Sequence, residues 1–306
     1  MDQRAIKEYI RALEHMTGFL RSLLEEEKKI TDEIPIDYDH LRELTNLRML
    51  AKSDKWPRAV PEDLICPDDD EDQKLSRASG IVTEFIKTDV VDKKLCDFGC
   101  GEGHVPYVAA HLFGSKVAVG YDILEKNNWY DFEKRDNLVF TDDFQRLKTM
   151  GPYDVILIND VIDHAENPSD VLKKAKSIKS QNGRIYMRCH PWTSRHATHL
   201  YKKLNKAYLH LVFSKNELYG MGYKGIETNK FIDPISEYKK FIEEAGLKIA
   251  VEETITHPLE IFFTHNKEIL RRIKANWKDS FDPELASGSE FARDAIELQF
   301  IDYILV

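Results

Sequence analysis

Residues 97–103 carry one aspartate and three glycines at alternate positions, in the order D-F-G-C-G-E-G. An apolar run, Lys94–Phe98, leads directly into them, and a helical pattern follows. Glycine has no Cβ, so a chain that turns here from a strand into a helix can approach a ligand closely. A glycine triplet alone occurs in many loops, and the prediction of a ligand-binding loop therefore depends on the residues that follow.

Acidic and amide side chains end the three apolar runs after this loop. Asp122 comes about 20 residues beyond the loop, where a carboxylate can accept hydrogen bonds from both hydroxyls of a ribose. Asp142 and Asp143 follow the next run and could meet an adenine amine, and Asn159 and Asp160 end the run after that. Since the carboxyl ends of parallel strands line one edge of a sheet, we expect all five residues to surround one ligand.

Several histidines lie where a base for proton removal could act. His190 directly follows the fifth apolar run and is the first candidate, because imidazole titrates near neutral pH. His164 follows the fourth run, where packing at a helix start is the alternative role. His196 and His199 are three residues apart and could line an acceptor site on one helical face. Without a third ligand nearby, no metal site is predicted from them.

Charge is distributed unevenly along the chain. The formal net charge is −9, which argues against the binding of long duplex nucleic acid. Within residues 184–230, however, nine basic residues stand against two acidic ones. This stretch predicts an anionic small-molecule ligand, with Arg188 and Arg195 clamping a phosphate or carboxylate. The aromatic residues Trp192 and Tyr201 complete the predicted acceptor site.

Alternating strand and helix patterns occupy residues 74–265 and predict a mostly parallel sheet with helices on both faces. The seven predicted strands are Lys94–Phe98, Lys116–Tyr121, Leu138–Phe140, Asp154–Ile158, Arg184–Cys189, Leu247–Glu252 and Leu259–Thr264. The last two strands are close together in the chain, which predicts a hairpin and hence one antiparallel edge strand. The predicted fold class is α/β, with a Rossmann-like sheet of seven strands.

Helical segments flank this core on both sides. Residues 1–73 predict a helical N-terminal extension, because their apolar residues recur at helical spacing. Residues from about 190 to 232 are rich in aromatic and basic side chains and predict a lid over the ligand. Residues 266–306 predict C-terminal helices packed on the core, the second of them over 289–305.

The motif series D-F-G-C-G-E-G, G-Y-D-I, T-D-D-F and N-D-V-I-D-H-A-E-N-P resembles class I S-adenosylmethionine-dependent methyltransferases. It is most similar to the branch that methylates small molecules such as quinones and sugars. The resemblance covers about residues 75–265, is weak over 190–232 and does not extend to 1–70. It implies S-adenosylmethionine as the cofactor.

The resemblance also implies roles for residues around the loop. The aspartate and glycines of 97–103 would hold the methionine portion of the cofactor, Asp122 the ribose, and either Asp142 or Asp143 the adenine amine. The implied cofactor-binding residues are Asp97, Gly99, Cys100, Gly101, Gly103, Asp122, Ile123, Asp142, Asp143, Asn159 and Asp160.

At the methyl-transfer end, Asn159 or Asp160 would face both the methionine portion and the acceptor. Asp160 is therefore a catalytic candidate beside His190 and His164. Removal of a proton from a hydroxyl or amine then accompanies in-line methyl transfer. The sequence predicts methyl transfer to a small, anionic acceptor such as a sugar phosphate, a nucleotide-sugar or a nucleotide.

Three other functions stay open on the sequence. The acceptor could be a nucleic-acid end or an RNA, given the basic stretch. The chain could also be a catalytically weak binding module of methyltransferase fold that docks a protein partner, or a second copy of itself, through its N-terminal helices. An NAD-dependent oxidoreductase is less favoured, because its glycine fingerprint is usually G-x-G-x-x-G whereas this loop has G-x-G-x-G.

Composition sets the expected location. No apolar run approaches the roughly 18–20 residues that a membrane span needs. The N-terminus becomes charged and helical at once, unlike a signal peptide. The four cysteines show neither pairing nor metal-ligand spacing. We therefore expect a cytoplasmic protein in a reducing environment.

Overall fold

The computed structural model describes residues 38–60, 70–191, 194–195, 197, 204–223, 235–256, 268–269, 271–273 and 298–306. The chain divides into two compact units, residues 1–49 and 50–306. Helix α1 (Tyr38–Lys52) crosses this division. All other described elements belong to the second unit, which carries every feature discussed below.

Seven strands form one sheet in the order β3-β2-β1-β4-β5-β7-β6. Strands β1 to β5 run parallel, and β7 is antiparallel to both of its neighbours, β5 and β6. The strands are β1 Lys94–Phe98, β2 Val117–Tyr121, β3 Leu138–Thr141, β4 Tyr153–Asn159, β5 Lys179–Cys189, β6 Ile249–Thr256 and β7 Leu298–Leu305. The predicted α/β fold with a mostly parallel seven-stranded sheet is confirmed, and its antiparallel strand lies one place in from the edge.

The C-terminal strand corrects one prediction. The spacing of apolar residues over 289–305 predicts a helix, but residues 298–305 form β7. Ile301, Tyr303 and Leu305 alternate along this strand and are fully buried, and such β-branched and aromatic residues suit a pleated surface. Burial of every second side chain is the pattern of a strand, and the structure follows this pattern rather than the helical spacing. The strand predicted at Leu259–Thr264 lies outside the described residues.

Helices cover both faces of the sheet. Helix α2 (Glu71–Gly80) continues through a π-helical turn, Ile81–Ile86, and a 3-10 turn, Lys87–Val90. The helices after α1 are α2 Glu71–Gly80, α3 His104–His111, α4 Phe144–Met150, α5 Pro168–Ile178, α6 Leu209–Val212, α7 Lys215–Gly220 and α8 Ile235–Glu244. None of the helices in the described part of the chain combines the length and apolar composition needed to cross a bilayer.

Strand β4 shows how the core is divided between the two faces. Ile156 and Ile158 belong to a buried cluster that includes Leu172 of α5 and Tyr238 of α8. Val155 and Leu157 of β4 belong to a second cluster on the other face, with side chains from α2, its π-helical turn and α3. Burial on both faces explains why β4 is a nearly continuous apolar run. It also fixes the register, so that the polar residues after each parallel strand meet at one edge.

Candidate active site

The glycine loop is bound to the end of β2. The backbone N–H groups of Gly99 and Cys100 donate to the carbonyl of Tyr121 at 2.7 and 2.9 Å. Gly99 has a φ of +91°, and a Cβ there would lie 2.4 Å from a methyl carbon of Val161. Gly101 has a φ of +51°, but a Cβ there would meet no protein atom within 4 Å. Gly99 thus serves close packing inside the protein, whereas Gly101 borders open space.

Asp122 lies directly beside this loop. Its Oδ2 accepts a hydrogen bond of 2.9 Å from the Gly101 N–H, and its Oδ1 accepts one of 3.2 Å from Leu124. The Trp129 indole N–H donates to the Gly101 carbonyl at 2.9 Å, and its ring stacks on Phe140 at 5.3 Å. The loop is therefore held from both sides. Trp129 is not among the residues that the sequence predicts for this site, and its aromatic type was the one available signal.

Asp97 is buried at the end of β1. Burial raises the pKa of its carboxyl to about 7, and the negative charge of Asp122 adds to this shift. The carboxyl is thus partly protonated near neutral pH. A cation bound against it would favour the ionised form.

The residues after β2 and β3 differ in their surroundings. Asp143 caps α4, because its Oδ1 accepts from the Gln145 N–H at 2.8 Å and its own N–H donates to the Thr141 hydroxyl at 3.1 Å. Asp142 is exposed at the same edge. Ile123, directly after Asp122, has 77% of its surface exposed. All three residues therefore present accessible surface to a ligand, but one oxygen of Asp143 is already used to cap α4.

The structure brings together two residues that were predicted separately. His190 Nε2 lies 3.1 Å from Asp160 Oδ1, and the Asn159 amide donates to Asp160 Oδ2 at 3.1 Å. The Asp160 N–H donates to the carbonyl of Arg188 at 3.1 Å, which ties the end of β4 to β5. The Asp160 side chain is 35% exposed and that of His190 is 6% exposed. Asp160 is therefore the accessible member of the pair.

Asp163 joins this pair, although the sequence did not single it out. A 3-10 turn, Ile162–His164, buries Asp163 and leaves His164 exposed. Asp160, Asp163 and His190 each place a potential ligand atom within 4.8 Å of the others, and among the described residues they are the one such group that could hold a metal ion. Burial raises the pKa of Asp163 to about 6, with Asp160 adding to the shift while His190 and His164 oppose it. The D-x-x-D spacing was the available sequence signal.

Arg188 has a partner inside the protein. Its guanidinium donates to both oxygens of Asp302 at 2.7 and 2.6 Å, and it lies 5.0 Å from the centre of the Phe85 ring and 5.4 Å from that of Phe300. Arg188 thus binds the Asp302 carboxylate of β7, whereas the sequence predicted that it binds an anionic acceptor. Arg195 likewise donates to the Arg58 carbonyl. The other predicted acceptor residues, Trp192, His196, His199 and Tyr201, lie outside the described residues.

Residues 53–60 contact the described part of the segment for which the sequence predicts a lid, and we call residues 53–60 the lid anchor. The Trp56 indole donates to the Ala207 carbonyl at 2.8 Å, and the Ala207 N–H donates to Pro57 at 2.9 Å. The Asn205 amide both donates to the Val60 carbonyl at 2.7 Å and accepts from the Val60 N–H at 2.9 Å. The segment before the core is therefore bound to the segment that follows β5.

The strand order, the antiparallel β7 and the glycine loop after β1 are those of the class I methyltransferases. Residues 71–250, more than half of the chain, match the family model described as a methyltransferase domain, and the chain belongs to this family. It is an enzyme whose cofactor is S-adenosylmethionine. Among curated proteins, none matches the chain.

Solved structures of similar fold include three methyltransferases. Coclaurine N-methyltransferase bound to N-methylheliamine and S-adenosylhomocysteine is 17% identical, covering 99% of this chain and 100% of its own, with a TM-score of 0.47. A putative S-adenosylmethionine-dependent methyltransferase from Listeria monocytogenes is 14% identical over 74% and 98%, with a TM-score of 0.45. Magnesium protoporphyrin IX methyltransferase from Synechocystis PCC 6803 is 15% identical over 98% and 99%, with a TM-score of 0.43. These values give no information on the acceptor.

Proposed function

We propose that the chain transfers the methyl group of S-adenosylmethionine to a hydroxyl or amine of a small acceptor, at the edge where β1, β4 and β5 end. The observation that carries this proposal is the 3.1 Å contact between His190 Nε2 and Asp160 Oδ1. Val161, next to Asp160, contacts Gly99 and so joins this pair to the glycine loop. A group able to take a proton therefore lies beside the proposed cofactor loop.

The chemistry of the loop fits the cofactor. When bound, S-adenosylmethionine supplies an electrophilic methyl carbon on a positively charged sulfur. In our proposal Asp97 and the open side of Gly101 hold its methionine portion, Asp122 binds the ribose, and Asp142 meets the adenine amine. The raised pKa of Asp97 supports this arrangement, because a bound ammonium group would compensate the buried carboxylate.

On the acceptor side, Asp160 contacts the acceptor directly and His190 orients Asp160. The greater exposure of the Asp160 side chain supports a role for this carboxylate, rather than the imidazole, in contacting the acceptor. Asp160 accepts a hydrogen bond from the acceptor's hydroxyl or amine, aligns that nucleophile for in-line attack and takes its proton as the new bond forms. His190 Nε2 keeps the carboxylate in its orientation. Our proposal thus transfers the proton to Asp160, where the sequence pointed to His190.

The test compares three purified variants in an assay of S-adenosylhomocysteine release over a panel of sugar phosphates, nucleotide-sugars, nucleotides and quinones. Asp160→Asn is expected to lower kcat by about 10²- to 10⁴-fold, the usual contribution of a general base, with the Kd of the cofactor unchanged. His190→Gln keeps an N–H and is expected to lose less. Asp136→Asn makes the same change at an exposed site and is the control. Full turnover by Asp160→Asn would exclude Asp160 as the group that takes the acceptor's proton.

A metal ion is the second candidate for the Asp160–Asp163–His190 group. If Asp160 takes the proton directly, treatment with EDTA followed by desalting leaves turnover unchanged. If the group holds a divalent cation that activates the acceptor, turnover falls and returns when Mg²⁺ or Mn²⁺ is added. The same assay thus separates the two chemistries.

The anionic character of the acceptor stays a prediction from the sequence. Within the basic stretch, Arg184 pairs with Asp89 at 2.8 Å and Lys206 donates to the Ser53 carbonyl at 2.7 Å. With the Arg188–Asp302 pair and the bond from Arg195 to the Arg58 carbonyl, at least four of the nine cations have partners within the protein. The comparison of phosphorylated with neutral acceptors in the panel tests the prediction.

A further inference from the structure

Strand β7 brings Phe300 to the ring of His190. Ile301 of β7 pairs with Cys189 of the antiparallel β5, so Phe300, which precedes Ile301, and His190, which follows Cys189, lie next to each other. Their ring centres are 4.4 Å apart, with 49° between the ring planes. His190 therefore has an aromatic neighbour from the C-terminal strand as well as a carboxylate neighbour from β4.

Phe300 is itself held in place. The Arg188 guanidinium lies 5.4 Å from the centre of the Phe300 ring and is fixed by two hydrogen bonds to Asp302, two residues along β7. The Phe85 ring lies 5.0 Å from the same guanidinium. Asp302 thus orients Arg188, and Arg188 packs on the ring that contacts His190.

The backbone of His190 is restrained separately. The buried Tyr238 hydroxyl of α8 donates to the His190 carbonyl at 2.9 Å. This bond fixes the main chain but leaves the rotation of the imidazole about its side-chain bonds to be set by packing. Asp160 contacts one edge of the imidazole, and Phe300 packs against the ring.

We propose that Phe300 is a positioning residue, whose ring holds the His190 imidazole with Nε2 against Asp160. This inference rests on the proposed function, in which His190 orients the carboxylate that receives the acceptor's proton. Catalytic groups must be held within about 0.5 Å and 10–20° of the productive geometry, and packing is what locks their rotamers. A side chain without a ring would let the imidazole turn away from Asp160.

The kinetic test uses Phe300→Leu, Phe300→Tyr and Phe85→Leu in the full-length protein. Phe300→Leu is expected to lower kcat by about 10- to 100-fold, as small misplacements of catalytic groups do, while the Kd of S-adenosylhomocysteine stays within about twofold. Phe300→Tyr keeps the ring and is expected to restore most of the turnover. Phe85→Leu removes the other ring against Arg188 without touching His190, and it is expected to keep kcat. Equal losses in Phe85→Leu and Phe300→Leu would overturn the proposal.

A spectroscopic readout separates positioning from the proposed chemistry. In protein labelled at its histidines with ¹³C and ¹⁵N, the His190 Cε1–H signal is assigned by its loss in His190→Gln. Phe300→Leu is expected to shift this signal by removing the ring current and changing the imidazole orientation, and Phe85→Leu is expected to leave it in place. An unmoved signal in Phe300→Leu would refute the positioning role.

A shifted signal combined with full turnover in both Phe300→Leu and Asp160→Asn would support positioning of the imidazole and remove the proposed role of Asp160 in proton transfer instead. If Phe300→Leu melts below the assay temperature, Phe300→Met replaces it, because methionine has similar volume and no ring. The same kinetic and spectroscopic outcomes then apply.

Discussion

Asp122 Oδ2 accepts a 2.9 Å hydrogen bond from the Gly101 N–H, so the residue directly after β2 holds the middle of the glycine loop. The same carboxylate adds to the rise in the pKa of Asp97. One acidic side chain therefore fixes the shape of the loop and sets part of its electrostatics.

Replacing Asp122 by alanine is expected to weaken cofactor binding. The variant loses the proposed ribose hydrogen bonds, which at about 1 kcal/mol each correspond to roughly a 30-fold rise in Kd for two of them. Isothermal titration calorimetry with S-adenosylhomocysteine measures this change. Asp136→Ala, at an exposed site, is the control. An unchanged Kd would remove Asp122 from the cofactor site.

Cofactor binding is expected to strengthen as pH rises through the pKa of Asp97, which is about 7 in the free protein. The ionised carboxylate attracts the cofactor's ammonium group, and a bound cation lowers the pKa of the carboxyl. Below pH 7 binding must therefore remove a proton from Asp97, and the association constant falls by up to about tenfold per pH unit. Calorimetry at pH 6, 7 and 8 checks this, and Asp97→Asn should flatten the profile.

The same raised pKa has an opposite effect on the stability of the free protein. Because the folded state holds the Asp97 proton up to about pH 7, whereas an unfolded aspartate releases it near pH 3.9, folding is favoured at low pH by this group. Its contribution is lost as pH rises from about 4 to 7. In Asp97→Asn, thermal unfolding should show less of this loss across the same range.

Gly99 and Gly101 are expected to respond differently to alanine. Gly99→Ala would place a Cβ 2.4 Å from Val161 at a φ of +91°, and such overpacking costs about 1–3 kcal/mol in addition to the backbone strain. Gly101→Ala meets no protein atom, so it should lower the melting temperature less and affect cofactor binding more.

A double variant tests this explanation for Gly99. Val161→Ala removes the two methyl carbons that lie within 3.0 Å of the added Cβ. The melting temperature of Gly99→Ala/Val161→Ala should therefore exceed the value expected from adding the two single effects. Simple additivity would show that the clash is not the cause.

The glycine loop and strands β1 to β5 could be predicted because each apolar run ends in glycine or in polar residues, which mark where a parallel strand leaves the sheet. Strand β7 could not. Its apolar residues fit a helical spacing as well as a strand, and its pairing with β5 joins residues that are 114 positions apart. The order of apolar and polar residues within a short segment does not show which distant strand it will pair with.

The acceptor side was harder to predict for the same reason. The charge of Arg188 was evident in the sequence, but its partner Asp302 lies on the strand that was assigned to a helix. Asp160 and His190 each ended a predicted strand, and parallel packing of β4 and β5 made their contact a consequence of the fold. Asp163 reaches this pair because a short 3-10 turn buries it. The D-x-x-D spacing alone is a weak signal for such a turn.

The Arg188–Asp302 pair is expected to act on stability. Asp302→Ala leaves a largely buried guanidinium without its carboxylate, which typically costs about 3–5 kcal/mol. Chemical denaturation measures the loss. The double variant Arg188→Met/Asp302→Leu removes both charges and should recover much of the stability. If this folded double variant shows a raised KM for anionic acceptors alone, Arg188 has a role in acceptor binding after all.

The lid anchor is expected to control acceptor turnover without changing cofactor affinity. Asn205→Ala removes both hydrogen bonds to Val60, so the backbone groups of Val60 lose their partner and the lid loses one of its links to residues 53–60. We expect a loss of about 1–3 kcal/mol in stability and a lower kcat/KM for the acceptor, with the Kd of S-adenosylhomocysteine unchanged because Asn205 lies outside the glycine loop. Asn216→Ala, on the exposed side of α7, controls for the loss of an amide. If both variants keep the wild-type kcat/KM, the lid does not depend on this anchor.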